Sequence, residues 1–92
     1  MATPLVDICI IEDDAHEQAL LVRRFTRHGY NVVAANDGEA GLDVIRKQRP
    51  RVVISDVMMP RLGGIELCRR VRSDTTLDGT YLILVTAYDS LK

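Results

Sequence analysis

Carboxylates that follow apolar runs are the residues of this chain best suited to chemistry. Glu12 and Asp13 come directly after the run VDICII, and Asp56 comes after VVIS. A buried charge without a partner is very costly, so Asp56 must either emerge into water or face a cation. Thr86 lies near the end of a later apolar run, YLILVTA, and adds a hydroxyl donor. The types of these four residues define the chemistry that is open to the chain.

Metal-assisted phosphoryl transfer is the chemistry that these four residues suit. Three carboxylates brought together repel one another unless a cation is present, and their hard oxygen ligands suit Mg²⁺. The metal would offset the charge on Asp56 and on any anion brought near it. A carboxylate can attack phosphorus to give an acyl phosphate, a transfer that depends mainly on positioning and charge neutralisation. The hydroxyl of Thr86 could donate to a phosphoryl oxygen.

The elements that would position these residues alternate between two hydrophobic periods. The strands are predicted at 6–11, 30–35, 52–57 and 81–87, and the helices at 14–27, 39–48 and 64–72. This alternation predicts an α/β fold, a doubly wound parallel sheet with helices on both faces. In the flavodoxin-like strand order 2-1-3-4, the first and third strands are neighbours. Glu12, Asp13 and Asp56 would then share one pocket beyond the strand ends, with Thr86 beside it.

Local signals predict the ends and the inner faces of the helices. Asp14 is the expected N-cap of the first helix, with Glu17 at capping-box spacing, and Gly29 is the residue expected just past its end. The nearly unbroken apolar character of the third strand predicts burial on both faces. The residues predicted to face inward are Ala40, Gly41, Val44 and Ile45 in the second helix and Ile65, Cys68 and Val71 in the third.

Length and composition indicate one small cytoplasmic domain over residues 1–92. The net charge of −1 gives no electrostatic case for binding nucleic acid or a membrane surface. No apolar run approaches the roughly 20 residues that a membrane helix needs, and the N-terminus lacks the features of a signal peptide. The two cysteines, Cys9 and Cys68, form no CxxC pair, so we expect reduced, buried thiols.

The chain resembles the receiver domain of two-component response regulators in four segments, IIEDD, DVMMP, GGIELCRRVR and LVTAYDS. The resemblance runs from about residue 7 to the end, and several motifs at consistent spacing make it specific. It implies a flavodoxin-like (CheY-like) fold. It also implies that Asp56 is the phospho-acceptor and that Thr86 is the switch hydroxyl. For the metal, it implies that Asp13 binds Mg²⁺ directly, that Glu12 acts largely through water, and that the backbone carbonyl of Met58 is a third ligand.

The resemblance further implies a signalling role rather than that of a turnover enzyme. The phosphodonor would be a phosphohistidine on a sensor histidine kinase or on a phosphotransfer protein, and phosphorylation would switch a protein-interaction surface. Receiver domains typically continue through a fourth helix, a fifth strand that ends in a lysine, and a fifth helix. Lys92 falls too early to be that lysine, so we expect a chain that is incomplete at its C-terminus. Its fourth strand would present an apolar edge, open to homodimerisation or to exchange of elements between chains.

Alternative interpretations remain for the same residues. Asp56 alone could be a solvated carboxylate at a strand end, and Thr86 could be an ordinary strand threonine. The chain could be an interaction or dimerisation module that keeps the acidic pocket without being phosphorylated. A phosphatase of the haloacid dehalogenase type also uses an aspartate after a strand, but its typical DxDxT pattern is not matched by DVMMP.

Overall fold

The structure is a computed structural model that describes residues 6–86. In chain order its elements are β1 (Ile8–Ile11), α1 (Ala15–Arg27), β2 (Val32–Ala35), α2 (Gly38–Gln48), β3 (Val52–Asp56), α3 (Gly64–Ser73), a 3₁₀ turn (Thr75–Leu77) and β4 (Tyr81–Val85). Within these residues the four strands are all parallel, in the order β2-β1-β3-β4. The predicted α/β class and strand order are therefore confirmed. Within residues 6–86, no helix is long and apolar enough to cross a membrane.

The register of the sheet brings the carboxyl ends of β1, β3 and β4 to one edge. Ile11 is the Cα partner of Ser55, and Asp56 is the partner of Val85. All four residues of β1 are buried, because β2 and β3 flank this strand and both α1 and α2 pack against it. Residues that follow β1 and β3 in the chain therefore leave the sheet side by side, where open parallel sheets hold their ligands.

The ends of α1 follow the signals that the sequence carries. The carboxylate of Asp14 accepts hydrogen bonds from the backbone N–H groups of His16 (2.9 Å) and Glu17 (3.0 Å), which confirms the predicted N-cap. In a capping box the side chain of Glu17 would accept a hydrogen bond from the N–H of Asp14. Here that N–H donates instead to Glu12 Oε2 at 3.1 Å. Gly29 follows the helix with φ +93°, a backbone conformation that favours glycine.

The main hydrophobic core lies on the face of the sheet that α2 and α3 cover. It comprises Cys9, Ile11, Ala35, Leu42, Ile45, Val53, Leu62, Leu67, Val71 and Leu77. Leu62 and Leu77 lie outside the helices and strands of the predicted pattern, yet both are buried. Loop residues therefore complete the core beneath α3.

The prediction of the inner helix faces is wrong at two residues. Ala40 is exposed, and Leu42 is buried in its place. Ile65 is 54% exposed, whereas Leu67 is fully buried. The apolar residues of each helix occupy more than one side, so spacing alone allows more than one inward stripe. Contact with the sheet selects the stripe that contains Leu67 and Val71.

The opposite face of β3 and β4 is only partly covered. Val52 and Ile54 are half-buried, so the prediction that β3 is buried on both faces is wrong. Together with Tyr81 and Ile83 they line a mainly apolar groove of about 740 Å³ that runs beside α1. β2 begins at Val32, two residues later than predicted. Within residues 6–86 the outer edge of β4 pairs with no strand, and the predicted strand residue at position 87 lies outside the described residues.

Candidate metal and phosphoryl site

Three carboxylates meet at the edge of the sheet where β1 and β3 end. Glu12, Asp13 and Asp56 each offer a carboxylate oxygen, and these three oxygens all lie within 4.8 Å of one another. Asp56 is only 8% exposed, whereas Asp13 is exposed to solvent. The clustering of these carboxylates that the strand order predicted is therefore present, with Asp56 on the buried side and Asp13 on the side open to solvent.

Close backbone packing sets the position of Asp56. Asp56 is the last residue of β3, and its carbonyl accepts a hydrogen bond from the hydroxyl of the buried Ser55 at 2.9 Å. The first residue of α3 is Gly64, where an added Cβ would lie 2.4 Å from that same carbonyl oxygen. The N–H of Gly64 also donates to the carbonyl of Val57 at 2.9 Å. Only glycine lets α3 begin so close to the strand end that carries Asp56.

Gln18 is a positioning side chain that the sequence analysis missed. Its amide Nε2 lies 3.1 Å from the Glu12 carbonyl oxygen, 3.0 Å from that of Ala35 and 2.9 Å from Asn36 Oδ1. The side chain thus ties the first helix to the ends of β1 and β2 and holds the peptide of Glu12. The sequence feature that could have predicted this role is the position of Gln18 in the first turn of a helix that directly follows the acidic residues.

Met58 and Met59 lie in the loop that joins β3 to α3. The side chain of Met58 is 79% exposed, while Met59 packs against the core. The exposed Met58 side chain lies outside the core, and the ligand expected from this residue is its backbone carbonyl. The structure places that backbone two residues after Asp56, in a loop that ends at the N–H of Gly64.

Thr86 lies one residue beyond the end of β4. Val85, the residue before it, is the Cα partner of Asp56, and its carbonyl accepts the N–H of Val57 at 3.0 Å. Thr86 is exposed at the same edge of the sheet as the three carboxylates. The structure therefore places Thr86 directly after the strand that neighbours β3, and its role at the site stays a prediction.

The electrostatics of the pocket favour a cation. Burial raises the pKa of the Glu12 carboxyl, the charges of Asp56 and Asp13 raise it further, and the hydrogen bond from the Asp14 N–H opposes them. None of the ion pairs formed within residues 6–86 involves any of the three clustered carboxylates. An all-oxygen set of acidic ligands with an open side fits a hard divalent cation that keeps some of its waters, as Mg²⁺ does.

Comparison with known proteins gives a consistent result at the level of sequence. Residues 8–92 match the family described as the response regulator receiver domain. The chain is 43% identical over 86 residues to response regulator MprA of Mycolicibacterium vanbaalenii and 42% identical to that of Mycobacterium bovis. In both cases the match covers 94% of this chain and 36% of the relative. The chain therefore spans about a third of the length of these relatives.

Solved structures give the same result at the level of the fold. The chemotaxis protein CheY4 of Vibrio cholerae superposes with a TM-score of 0.85 at 28% identity, covering 94% of this chain and 72% of its own. The response regulator TrrA of Thermotoga maritima, solved in complex with Mg(2+)-BeF, gives 0.82 at 27% identity, covering 91% and 71%.

The sheet order and the acidic strand ends define the class as a CheY-like α/β domain. Within that class, the chain belongs to the response regulator receiver domain family of two-component systems. Members of this family are ordinarily switch domains that interact with histidine kinases or phosphotransfer proteins. The roles of individual residues in this chain follow as a proposal.

Proposed function

We propose that this domain is a phosphorylation-controlled switch in which Asp56 accepts a phosphoryl group from a phosphohistidine. The observation that carries the proposal is the approach of three carboxylate oxygens to within 4.8 Å at the ends of β1 and β3. Such a cluster is unfavourable without a cation, and its most buried member is the residue that ends the central strand β3.

The chemical step uses the buried carboxylate as the nucleophile. An oxygen of Asp56 forms a bond to phosphorus while the phosphorus–nitrogen bond of the donor breaks, and the imidazole nitrogen takes the electron pair. The product is an acyl phosphate on Asp56 and a free histidine on the donor. The Thr86 hydroxyl donates a hydrogen bond to a phosphoryl oxygen, which links the modification to the end of β4.

The proposed cofactor is Mg²⁺, held by Asp13, Asp56 and the backbone carbonyl of Met58, with Glu12 acting largely through water. When bound, the ion supplies charge neutralisation at the transferring group. The oxygen-only donor set and the clustered negative charge support this choice. So does the Mg(2+)-BeF complex of the Thermotoga maritima neighbour, at 27% identity.

The domain's partners are signalling proteins, and its location is the cytoplasm. The phosphodonor is a sensor histidine kinase or a histidine phosphotransfer protein, and residues 1–92 act as one receiver unit that binds neither nucleic acid nor a membrane directly. The site transfers a phosphoryl group to its own side chain, so the domain is a switch rather than a turnover enzyme. A cytoplasmic location is supported by the free thiols of Cys9 and Cys68, because disulfides are rare in that compartment.

Labelling with acetyl phosphate and Mg²⁺ tests the proposal directly. We expect intact-protein mass spectrometry to show one added phosphoryl group, which EDTA prevents and Asp56→Asn abolishes. Asp14→Asn is the matched control, because asparagine keeps the N-cap acceptor and the position lies outside the carboxylate cluster. Labelling that persists in Asp56→Asn would refute the assignment, and sustained hydrolysis of a phosphate ester would favour a phosphatase.

The exposed face of β4 favours a second candidate function, an interaction or dimerisation module that is not phosphorylated. Tyr81, Ile83 and Val85 are exposed by 75%, 49% and 46%, beside the apolar groove over β3. An unpaired apolar strand edge is a template for pairing with a second chain. Light scattering distinguishes the candidates: a concentration-dependent dimer together with no labelling would support this one, whereas a labelled monomer would exclude it.

A further inference from the structure

The loop between β3 and α3 is attached to the start of α2 by an ion pair. Arg61 Nη1 donates to Asp37 Oδ2 at 2.7 Å. The Asp37 side chain is only 17% exposed, and its other oxygen accepts the N–H of Ala40 at 2.8 Å as the N-cap of α2. One carboxylate therefore holds both the helix start and the loop.

The backbones of the loop and the helix also touch at the next pair of residues. A Cβ added at Gly38 would lie 2.1 Å from the carbonyl oxygen of Leu62. Leu62 itself is buried in the core. The segments Asp37–Gly38 and Arg61–Leu62 are thus joined by the ion pair and by this close approach, which we call the loop clasp.

Arg61 has a backbone conformation that arginine seldom adopts. Its φ is +66°, in the left-handed region where glycine carries no steric penalty. Gly63, two residues later, has φ −75° and does not use that freedom. An arginine where glycine would be less strained indicates that its side chain has a role, and the only ion pair of Arg61 within residues 6–86 is with Asp37.

We propose that Arg61 and Asp37 are positioning residues for the metal and phosphoryl site. The loop clasp fixes the segment that leaves Asp56 and carries the backbone carbonyl of Met58. Without it the same loop samples more conformations, and Mg²⁺ must order the loop when it binds. This inference rests on the proposed function, because it assumes that the Met58 carbonyl contributes to Mg²⁺ binding.

The test is the Mg²⁺ dissociation constant of the chain, measured by NMR titration of the backbone amides around Asp56. Asp37→Asn keeps the N-cap acceptor but removes the charge, and Arg61→Gly removes the side chain while tolerating the positive φ. Because an ion pair of this exposure is a small term, we expect each variant to weaken Mg²⁺ binding about two- to fivefold. The double variant should bind no more weakly than either single one, and Arg61→Lys should recover part of the loss.

Lys47→Ala is the matched control, because it breaks the exposed ion pair between Lys47 and Asp43 (3.1 Å) within α2 without touching the clasp. It should leave the Mg²⁺ dissociation constant unchanged. Wild-type affinity in both Arg61→Gly and Asp37→Asn would overturn the clasp while leaving the proposed function intact. Additive losses in the double variant would also overturn it. A wild-type chain that binds no Mg²⁺ would instead remove the proposed function, and the clasp proposal with it.

Discussion

Removal of the Asp56 charge should stabilise the metal-free protein. Asp56 sits 8% exposed beside Glu12 and Asp13, and no ion pair within residues 6–86 compensates any of the three. Asparagine has nearly the same shape and keeps an acceptor oxygen. The substitution Asp56→Asn therefore removes repulsion with little change in packing.

The separation of the carboxylate oxygens sets the size of the effect. At 4.8 Å, the upper limit of the separations between these oxygens, two unit charges repel by about 1 kcal/mol in water-like surroundings and about 3.5 kcal/mol at an effective dielectric constant of 20. Asp13 is exposed, so its repulsion with Asp56 lies at the low end. We expect Asp56→Asn to gain about 1–2 kcal/mol in free energy of unfolding, which for a domain of this size raises Tm by roughly 5–15 °C.

Thermal unfolding followed by circular dichroism, in EDTA and again in Mg²⁺, measures this gain. Wild type should gain stability on addition of Mg²⁺, whereas Asp56→Asn should gain much less, so the difference between the two shrinks when metal is present. The advantage of the variant in EDTA should also shrink at high salt, because screening weakens the repulsion. Asp14→Asn, outside the cluster, should respond to Mg²⁺ as wild type does.

An Asp56→Asn variant that is no more stable than wild type in EDTA would show that repulsion at Asp56 does not destabilise the metal-free domain. Equal gains of stability from Mg²⁺ in wild type and variant would show that the ion binds away from Asp56. An effect that is the same at low and high salt would indicate packing rather than charge as the cause.

Three further predictions concern packing and titration. Gly64→Ala should lower the free energy of unfolding, measured by urea denaturation, by about 1–3 kcal/mol, because its Cβ would clash with the carbonyl oxygen of Asp56. The control is Gly79→Ala, where no atom lies within 4 Å of the added Cβ, and it should change the free energy of unfolding by less than about 0.5 kcal/mol. Ile45→Ala should lose about 2–5 kcal/mol in the same assay, since this core side chain is fully buried. Burial raises the pKa of Cys9 from 9.0 to about 12, so the folded state holds that proton more tightly than the unfolded state. The contribution of this proton to the free energy of unfolding is fully present below pH 9 and is lost as the pH rises towards 12. Urea denaturation at a series of pH values should show a smaller loss of stability over this range in Cys9→Val than in wild type.

The features that depend on local sequence were predictable. The N-cap at Asp14 and the glycine after α1 follow from single residues and their neighbours. The meeting of Glu12, Asp13 and Asp56 required one further step, because the α/β alternation implies parallel strands and the order 2-1-3-4 makes the first and third adjacent.

The features that depend on tertiary contact were not predictable. Ile65 and Leu67 are both apolar, and only the sheet beneath α3 decides which one is buried. The bonds from Gln18 and the ion pair between Arg61 and Asp37 join segments that are far apart in sequence. No local pattern in a single sequence specifies such pairs, whereas the strand ends of a parallel sheet lie at positions that topology dictates.

The parallel pairing of β1 with β3 has a consequence for the timing of assembly. The chain is made from its N-terminus, so Glu12 and Asp13 emerge early, and Asp56 emerges only after α1, β2 and α2 have been completed. The ion site is therefore absent until β1 and β3 pair, and pairing between segments so distant along the chain is slow. Bound Mg²⁺ should consequently slow unfolding far more than it speeds folding. The ion would then stabilise the folded domain kinetically without directing its folding.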